Sequence, residues 1–368
     1  MKDEYEIRFY HRGDEDEILG LLRLAFDGWP HMDLNCSAIE HWRWKHEDNP
    51  SGKSIVSVGV RDGKILGCSH TIPMRMKIKN GVFLCCNGVD VAVHPDYRRM
   101  GVYGNMLDFK RRYEKKAGMK LHFTCTGNRI LINRLSKRES RFPFKIVNLI
   151  RILDISKHLK AMPIKKGWFI KLGYRFVKFM NELKNAYIAP VSKPDLQISD
   201  VNRFDEKTVE FCRGVSDHYD FILERNPEYL TWRYCDPRAG NFLVRLVRED
   251  DQVLGYSVLK INRYNGDYPV GFIVDLLTLP ERVDVAEALA LDAVNYFDQN
   301  DVNIVNYLVV QGHPYEDVLK RCGFLDSRIE INLFYKALAN SDELSRIKKS
   351  SASRIFFSWG DHDSLPIQ

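Results

Sequence analysis

The stretch from Val89 to Leu107 concentrates groups that can hold a phosphate. Val89, Val91 and Val93 alternate as on a β-strand, and Pro95 turns the chain. Arg98, Arg99 and Gly101 make a basic loop, and a helical pattern opens on Asn105-Met106-Leu107. Such a loop aims unpaired backbone N–H groups and the positive end of a helix at one point. The two arginines add charge and forked donors beside it. A lone glycine turn between strand and helix would be a weak signal; the whole string, from Val89 through Tyr97 and Gly101-Val102 to Leu107, is a specific one.

Two further groups could move protons. Asp90 lies within the strand before the basic loop, where a carboxylate can activate an amine directly or through water. Strand alternation equally allows it to face solvent. Near the other end, after a polar run from Ser341 to Ser353, the aromatics Phe356, Phe357 and Trp359 lead into Asp361-His362-Asp363. Disordered tails are poor in bulky aromatics. The segment is therefore expected to dock on the body and carry its acid–His–acid group with it.

The residues between strand and helix resemble the acyl-CoA loop of the GCN5-related N-acetyltransferases (GNAT), whose pattern is Arg/Gln-x-x-Gly-x-Gly/Ala. Here it reads Arg98-x-x-Gly101-x-Tyr103, with Gly104 one place late. The resemblance implies that acetyl-CoA lies against Val91, Val93, Arg98, Arg99, Met100, Gly101, Val102, Tyr103 and Gly104, with Asn128 on the pantetheine arm. It implies Asp90 as first candidate base, with Asp361 and Asp363 as alternatives, because in tandem members the chain terminus reaches the active site. The Tyr that usually protonates the departing thiolate is missing: its place holds Leu135, and Leu319 in the second half. Tyr103 or His122 is a possible substitute, or CoA leaves as the thiolate, since a thiol near pKa ~8.5 tolerates that.

The elements that must position these groups occur twice. Trp42-Arg43-Trp44 and Trp232-Arg233-Tyr234 each sit in a short helical pattern that closes at a Pro, Pro50 and Pro237. Each is followed by an apolar strand, a polar turn and a Leu-Gly pair, Leu66-Gly67 and Leu254-Gly255. Each then reaches a longer apolar strand containing an aspartate, Asp90 or Asp275. One α/β unit repeated accounts for this order. The Trp-Arg motifs are expected to pack helix to sheet. At the loop's equivalent the second copy has Leu279-Pro-Glu-Arg282-Val-Asp284, without glycine and with carboxylates that would repel a pyrophosphate.

The fold class expected is mixed α/β, α+β-like in its sheets. It comprises two tandem GNAT-like acyl-CoA N-acyltransferase domains, each a mixed, mostly antiparallel sheet flanked by helices, as in the enhanced-intracellular-survival acetyltransferases. Residues 1–155 form the first domain, with Ile146 to Ile155 completing its sheet. Residues 156–194 form a basic amphipathic linker helix, 195–340 a degenerate second domain, and 341–368 the docked tail. Apolar residues at 168, 172, 176, 179, 180 and 183 make the linker's stripe. That stripe suits an interdomain interface, and the lysines around it allow weak contact with an anionic membrane through 165–184.

Bulk properties agree with such a protein. The chain has 368 residues, 45% of them hydrophobic and 28% charged, with a net charge of +6. No apolar run reaches membrane-spanning length and the opening residues lack a signal-peptide core. The eight Cys show no ligand spacing, so reduced thiols, no metal and a cytoplasmic location are expected. The activity expected is transfer of an acetyl group from acetyl-CoA to a primary amine of a small molecule or sugar precursor. The alternatives are a tRNA-dependent aminoacyl transferase of the peptidoglycan-bridge type and a non-catalytic acyl-CoA-binding module. Nucleic acid is an improbable partner, because a CoA loop has no use there; an oligomer is allowed.

Overall fold

The computed structural model describes residues 5–154, 196–264, 266, 268–339 and 347–363. The expected linker helix, with its membrane-facing lysines, lies outside the described residues.

The chain runs β1 (Glu6–Phe9), α1 (Glu15–Phe26), α2 (Ala38–His46), β2 (Ile55–Arg61), β3 (Lys64–Ile78), β4 (Gly81–Val93), α3 (Val102–Lys116), β5 (Leu121–Thr126), α4 (Arg129–Leu135), β6 (Ser140–Arg141) and β7 (Ile146–Ile152). It continues β8 (Gln197–Val201), α5 (Glu206–Ser216), β9 (Phe221–Leu223), α6 (Pro227–Leu230), β10 (Leu243–Glu249), β11 (Gln252–Asn262), β12 (Val270–Thr278), α7 (Val283–Gln299), β13 (Ile304–Val310), α8 (Pro314–Arg321), β14 (Leu325–Asp326) and β15 (Asn332–Ala337). Local chemistry starts the helices where the sequence asks. Ser37 and Glu40 form a reciprocal cap on α2, and Asn128 accepts the N–H groups of Ile130 and Leu131 at the start of α4.

Two mixed sheets result. In one the order is β1-β2-β3-β4-β5-β15-β6, with β9 beside β3; in the other it is β14-β7-β13-β12-β11-β10-β8. Strands β1 to β4 pair antiparallel and β4 meets β5 in parallel. The second sheet repeats this with β8, β10, β11 and β12 antiparallel and β12 parallel to β13.

One expectation is corrected. Strand β7 does not complete the first sheet; it pairs along its whole length with β13, from Ile146↔Val310 to Ile152↔Ile304. Its place beside β5 is taken by β15, from the far end of the chain. Apolar alternation marks a strand but says nothing about which edge it joins. A buried side-chain bond from Asn148 Nδ2 to Asn306 Oδ1, 2.9 Å, holds β7 in the second sheet.

This exchange makes the two halves one body. A continuous apolar core runs from Phe123 and Leu149 through Phe221 to Leu276, Phe297 and Trp359. At the junction the rings of Trp44 and Trp232 stack with centroids 4.8 Å apart. Each indole N–H donates to the other residue's carbonyl, at 3.0 and 3.1 Å. Among the described residues no helix is long and apolar enough to cross a membrane.

Candidate active site

Strand β4 carries the site because it is irregular twice. Opposite β3 its register shifts, with Val89 facing His70 but Ala92 facing Cys68, and Asp90 adopts a left-handed φ of 44°. That bulge turns the Asp90 side chain out of the strand's alternation. On its other edge β4 pairs with β5 at Cys86↔His122 and Asn87↔Phe123. Beyond Asn87 the pairing with β5 stops, while β15 lies along β5's opposite edge. The edge from Gly88 to Val93 thus borders an open cleft.

The cleft begins at the basic loop. Arg99 and Gly101 both take left-handed backbone, φ 70° and 86°, and α3 starts at Val102 with Gly101 as its cap. A helix's first-turn N–H groups lack intrahelical partners. Here they face a cavity of about 360 Å³ lined by Val93, Arg98, Arg99, Gly101, Val102, Tyr103 and Gly104. Arg134 and Arg138, which the sequence reading passed over, supply two more guanidinium groups. Met100 does not line it; its carbonyl accepts from the Tyr5 hydroxyl, which bonds Asn105 as well. Tyr103 lies under the Arg134 guanidinium, 5.3 Å from ring centroid to charge, and borders this cavity and the next.

A second cavity of about 630 Å³ continues past Val93 between the splayed strands. Gly88, Val91, His122, Thr124, Asn128 and Leu135 line it, so the position expected to hold a Tyr presents an apolar wall. Asn128 contributes less than expected, because its Oδ1 is committed to capping α4. Beyond β4 the cavity reaches Trp29, Met32, His41, Lys45, Asp90 and Asp363.

Those last residues form a buried ionic cluster. Lys45 Nζ lies 2.6 Å from Asp90 Oδ2 and 2.5 Å from Asp363 Oδ2. Trp29 Nε1 donates to Asp90 Oδ1 at 2.9 Å. His70 accepts from Trp42 Nε1 at its Nε2, so its proton sits on Nδ1 and is given to the Asp90 carbonyl at 2.9 Å. Burial opposes charge on Lys45, yet the two carboxylates outweigh it and hold the ammonium above its usual pKa. Burial likewise works against Asp90, but Lys45 and the neighbouring histidines keep it well below the usual carboxylate range. Asp363 moves the other way: burial and the Asp90 charge raise it despite Lys45.

The three candidate bases thus separate. Asp90 is a fixed counter-ion with low proton affinity. Asp363 lines the cleft and binds a proton more readily. Asp361 does not line the cleft; its Oδ1 accepts from Arg225 Nη2 at 3.0 Å, and it is 1% exposed. Arg225 also makes a two-pronged pair with Asp275, the counterpart of Asp90 in the second sheet. Tyr256 and Ser358 complete that cluster. The second half's equivalent place is thus filled by side chains, and Asp284 at the start of α7 is engaged by Arg282, which also reaches Glu249 of β10.

Lys45 was missed by sequence reading because its partners stand 45 and 318 positions away. Its one signal was adjacency to the Trp42-Arg43-Trp44 motif. The motif itself packs as expected: Trp42 is fully buried against β3. Among the described residues one trio of metal-ligand type lies close together, Cys86, Glu114 and His122. Its atoms are engaged locally. Glu114 accepts from Thr71 at 2.7 Å and lies 3.1 Å from His122 Nδ1, and the Cys86 thiol donates to the Leu121 carbonyl at 3.5 Å.

Residues 6–125, β1 through β5, match the family model for an acetyltransferase (GNAT) domain. No curated protein matches the chain. Among solved structures it is similar to the N-myristoyltransferase of Saccharomyces cerevisiae with bound myristoyl-CoA, at 12% identity and TM-score 0.62, over 96% of this chain and 89% of that one. It is also similar to a GCN5-related N-acetyltransferase from Anabaena variabilis and to a probable N-acyltransferase of unknown function from Enterococcus faecalis. Each of these has 11% identity and TM-score 0.58, over 91% of this chain and 73% of that one. At such identities the likeness is one of fold.

Proposed function

We propose that this chain, whose residues 6–125 match the acetyltransferase (GNAT) domain model, is an acyltransferase of that superfamily and transfers an acetyl group from acetyl-CoA to a primary amine of a small molecule or sugar precursor. The two halves are read as tandem domains of which the first alone handles the nucleotide. The observation that carries the reading is the continuous cleft. It starts at the first-turn N–H groups of α3 and four arginines, passes the free edge of β4, and ends at Asp363.

In this reading the CoA pyrophosphate rests on the Arg98–Gly104 loop, where the helix end and the guanidinium groups favour anions. The pantetheine arm lies between β4 and β5. The thioester carbonyl takes its hydrogen bond from the β4 edge near Val91, and that bond strengthens as charge develops on oxygen. The amine enters from the Trp29–His41 side and attacks directly, giving its proton to Asp363. Lys45, held by Asp90, fixes Asp363 in place.

The apolar residues Phe26, Trp29, Pro30 and Met32 line room beyond an acetyl group, which favours a longer acyl donor as the second reading. The test is the melting shift produced by acetyl-CoA, desulfo-CoA and octanoyl-CoA, followed by an amine screen. Ligand at about 100 times its Kd adds roughly 2.7 kcal/mol, a shift of several degrees. No shift with any of them ends the acyl-CoA reading. Binding without turnover of any amine moves the protein to the binding-module alternative.

A further inference from the structure

The acetyl-transfer reading leaves one step without a residue. The departing CoA sulfur needs a proton, and the usual Tyr position is Leu135. His122 stands where β4 and β5 part. Its Nδ1 lies 3.1 Å from both carboxylate oxygens of Glu114 on α3. Glu114 is itself fixed by the Thr71 hydroxyl, and despite burial, His122 and Lys110 bring its pKa down to about 2, so it is an anion. The far ring nitrogen, Nε2, points to Gly88: a side chain at that position would come within 2.6 Å of it. The missing Cβ of Gly88 leaves room that the His122 ring end and the Thr124 hydroxyl fill, and Gly88, His122 and Thr124 all border the cleft.

We propose that His122, held through Nδ1 by Glu114, is the proton donor to the CoA thiolate. The inference rests on the acetyl-CoA reading above. The amine nitrogen forms its bond to the thioester carbon, the C–S bond breaks, and its electron pair goes to sulfur. The Nε2 proton of the imidazolium passes to that sulfur. The neutral ring keeps its Nδ1 proton on Glu114 and regains the other from solvent, while the ammonium proton of the product leaves through Asp363. The acid and the base thus stand on opposite sides of β4. The charged and titratable groups around His122 are Glu114 and Lys110 on α3 and Cys86 on β4, with Glu139 further along the cleft wall.

The experiment begins with unsubstituted protein, acetyl-CoA and an accepted amine. Failure of acetyl-CoA to raise Tm at this point removes the reading and the inference together, before any variant is made. With turnover in hand, His122→Gln is expected to lower kcat roughly 100-fold. It keeps the acetyl-CoA melting shift. Unchanged kcat overturns the proposal, as does a lost shift, which would make His122 a binding residue. Glu114→Gln keeps the ring but removes the anion that orients it, so kcat should fall with the acetyl-CoA melting shift intact; an unchanged kcat overturns the proposal. A third measurement needs no substitution. Diethyl pyrocarbonate should modify His122 in the free protein and spare it under desulfo-CoA, read by peptide mass spectrometry. A ring that is never modified, or is not shielded, overturns the proposal even if both variants fail to fold.

Discussion

Asp361 and Asp363, one residue apart, serve opposite halves of the molecule. Asp361 accepts from Arg225, which also holds Asp275 of the second sheet. Asp363 accepts from Lys45, which also holds Asp90 of the first. The carbonyl of His362 between them accepts from Arg233 at 3.1 Å. A single turn of chain therefore supplies the second carboxylate to both clusters. Only one cluster opens on the cleft. In the other, the arginine's fork, two tyrosines and a serine consume the space.

Removal of Lys45 would leave two buried carboxylates facing each other. Breaking a buried pair by deleting one partner costs about 3–5 kcal/mol. Lys45→Met should lower stability by about that much in urea unfolding. It should also lower kcat, since Asp363 loses its anchor. A change below about 1 kcal/mol would show that the cluster is not held by the ammonium.

Asp363→Asn and Asp90→Asn should behave differently although both lose one charge. The first is expected to cut kcat roughly 100-fold with the acetyl-CoA melting shift intact, as for loss of a general base. The second chiefly lowers stability, by about 1–3 kcal/mol, because a charged hydrogen-bonded group is lost from a buried site. Steady-state kinetics and melting on the same samples separate them. Equal loss of kcat with no loss of stability in Asp90→Asn would return the role of base to Asp90.

The sequence announced what is local and left silent what is distant. The phosphate loop was legible because strand, turn, arginines and glycine are contiguous from Val89 to Leu107. The repeated unit was legible because its order of helix, hairpin and long strand survives in both halves. The exchange of β7 and β15 was not, since edge choice depends on partners more than 150 residues away. Lys45, with one partner 318 positions away, was equally silent, and so was the Glu114–His122 contact, which is near in sequence but crosses from α3 to β5. In each case an ordinary helix residue gains its meaning from a strand or tail that only the fold brings near. Asp361 and Asp363 look alike in sequence, and the three-dimensional turn alone sends one to each cluster.

Gly101 carries two loads that substitution can separate. Its φ of 86° suits glycine, and an added Cβ would lie 3.5 Å from the Tyr5 hydroxyl, so space is not the obstacle. A left-handed L-residue costs about 1–2 kcal/mol. Gly101→Ala should therefore lower Tm by a few degrees and leave acetyl-CoA affinity within a few-fold. Gly101→Glu adds a charge against the phosphate site and should weaken binding at least roughly 100-fold, since like charges in contact cost several kcal/mol. Calorimetric titration of the two variants checks this; equal affinities would move the pyrophosphate elsewhere.

Acid should unfold this protein from an unusually mild pH. Burial pushes His41, His313 and His362 down to about 3 and His70 to about 4, and holds His46 well below its usual range. In the unfolded chain these rings titrate near 6.5. Below that pH the unfolded state alone takes up their protons, so each ring removes about 1.4 kcal/mol of stability per pH unit until its folded value is reached. Burial opposes this at Asp361, up to about 6, and at Asp363, since a raised carboxyl binds its proton in the folded state first. Five depressed rings act against the raised carboxyls of Asp361, Asp363 and Asp292, and the rings' larger number makes the net effect of acid destabilising. The urea midpoint should fall as the pH drops from about 6 to 5. A midpoint that stays flat to pH 5 would mean that these rings are protonated in the fold, with the imidazole cluster around Asp90 charged and the cleft carrying more positive charge than the geometry implies.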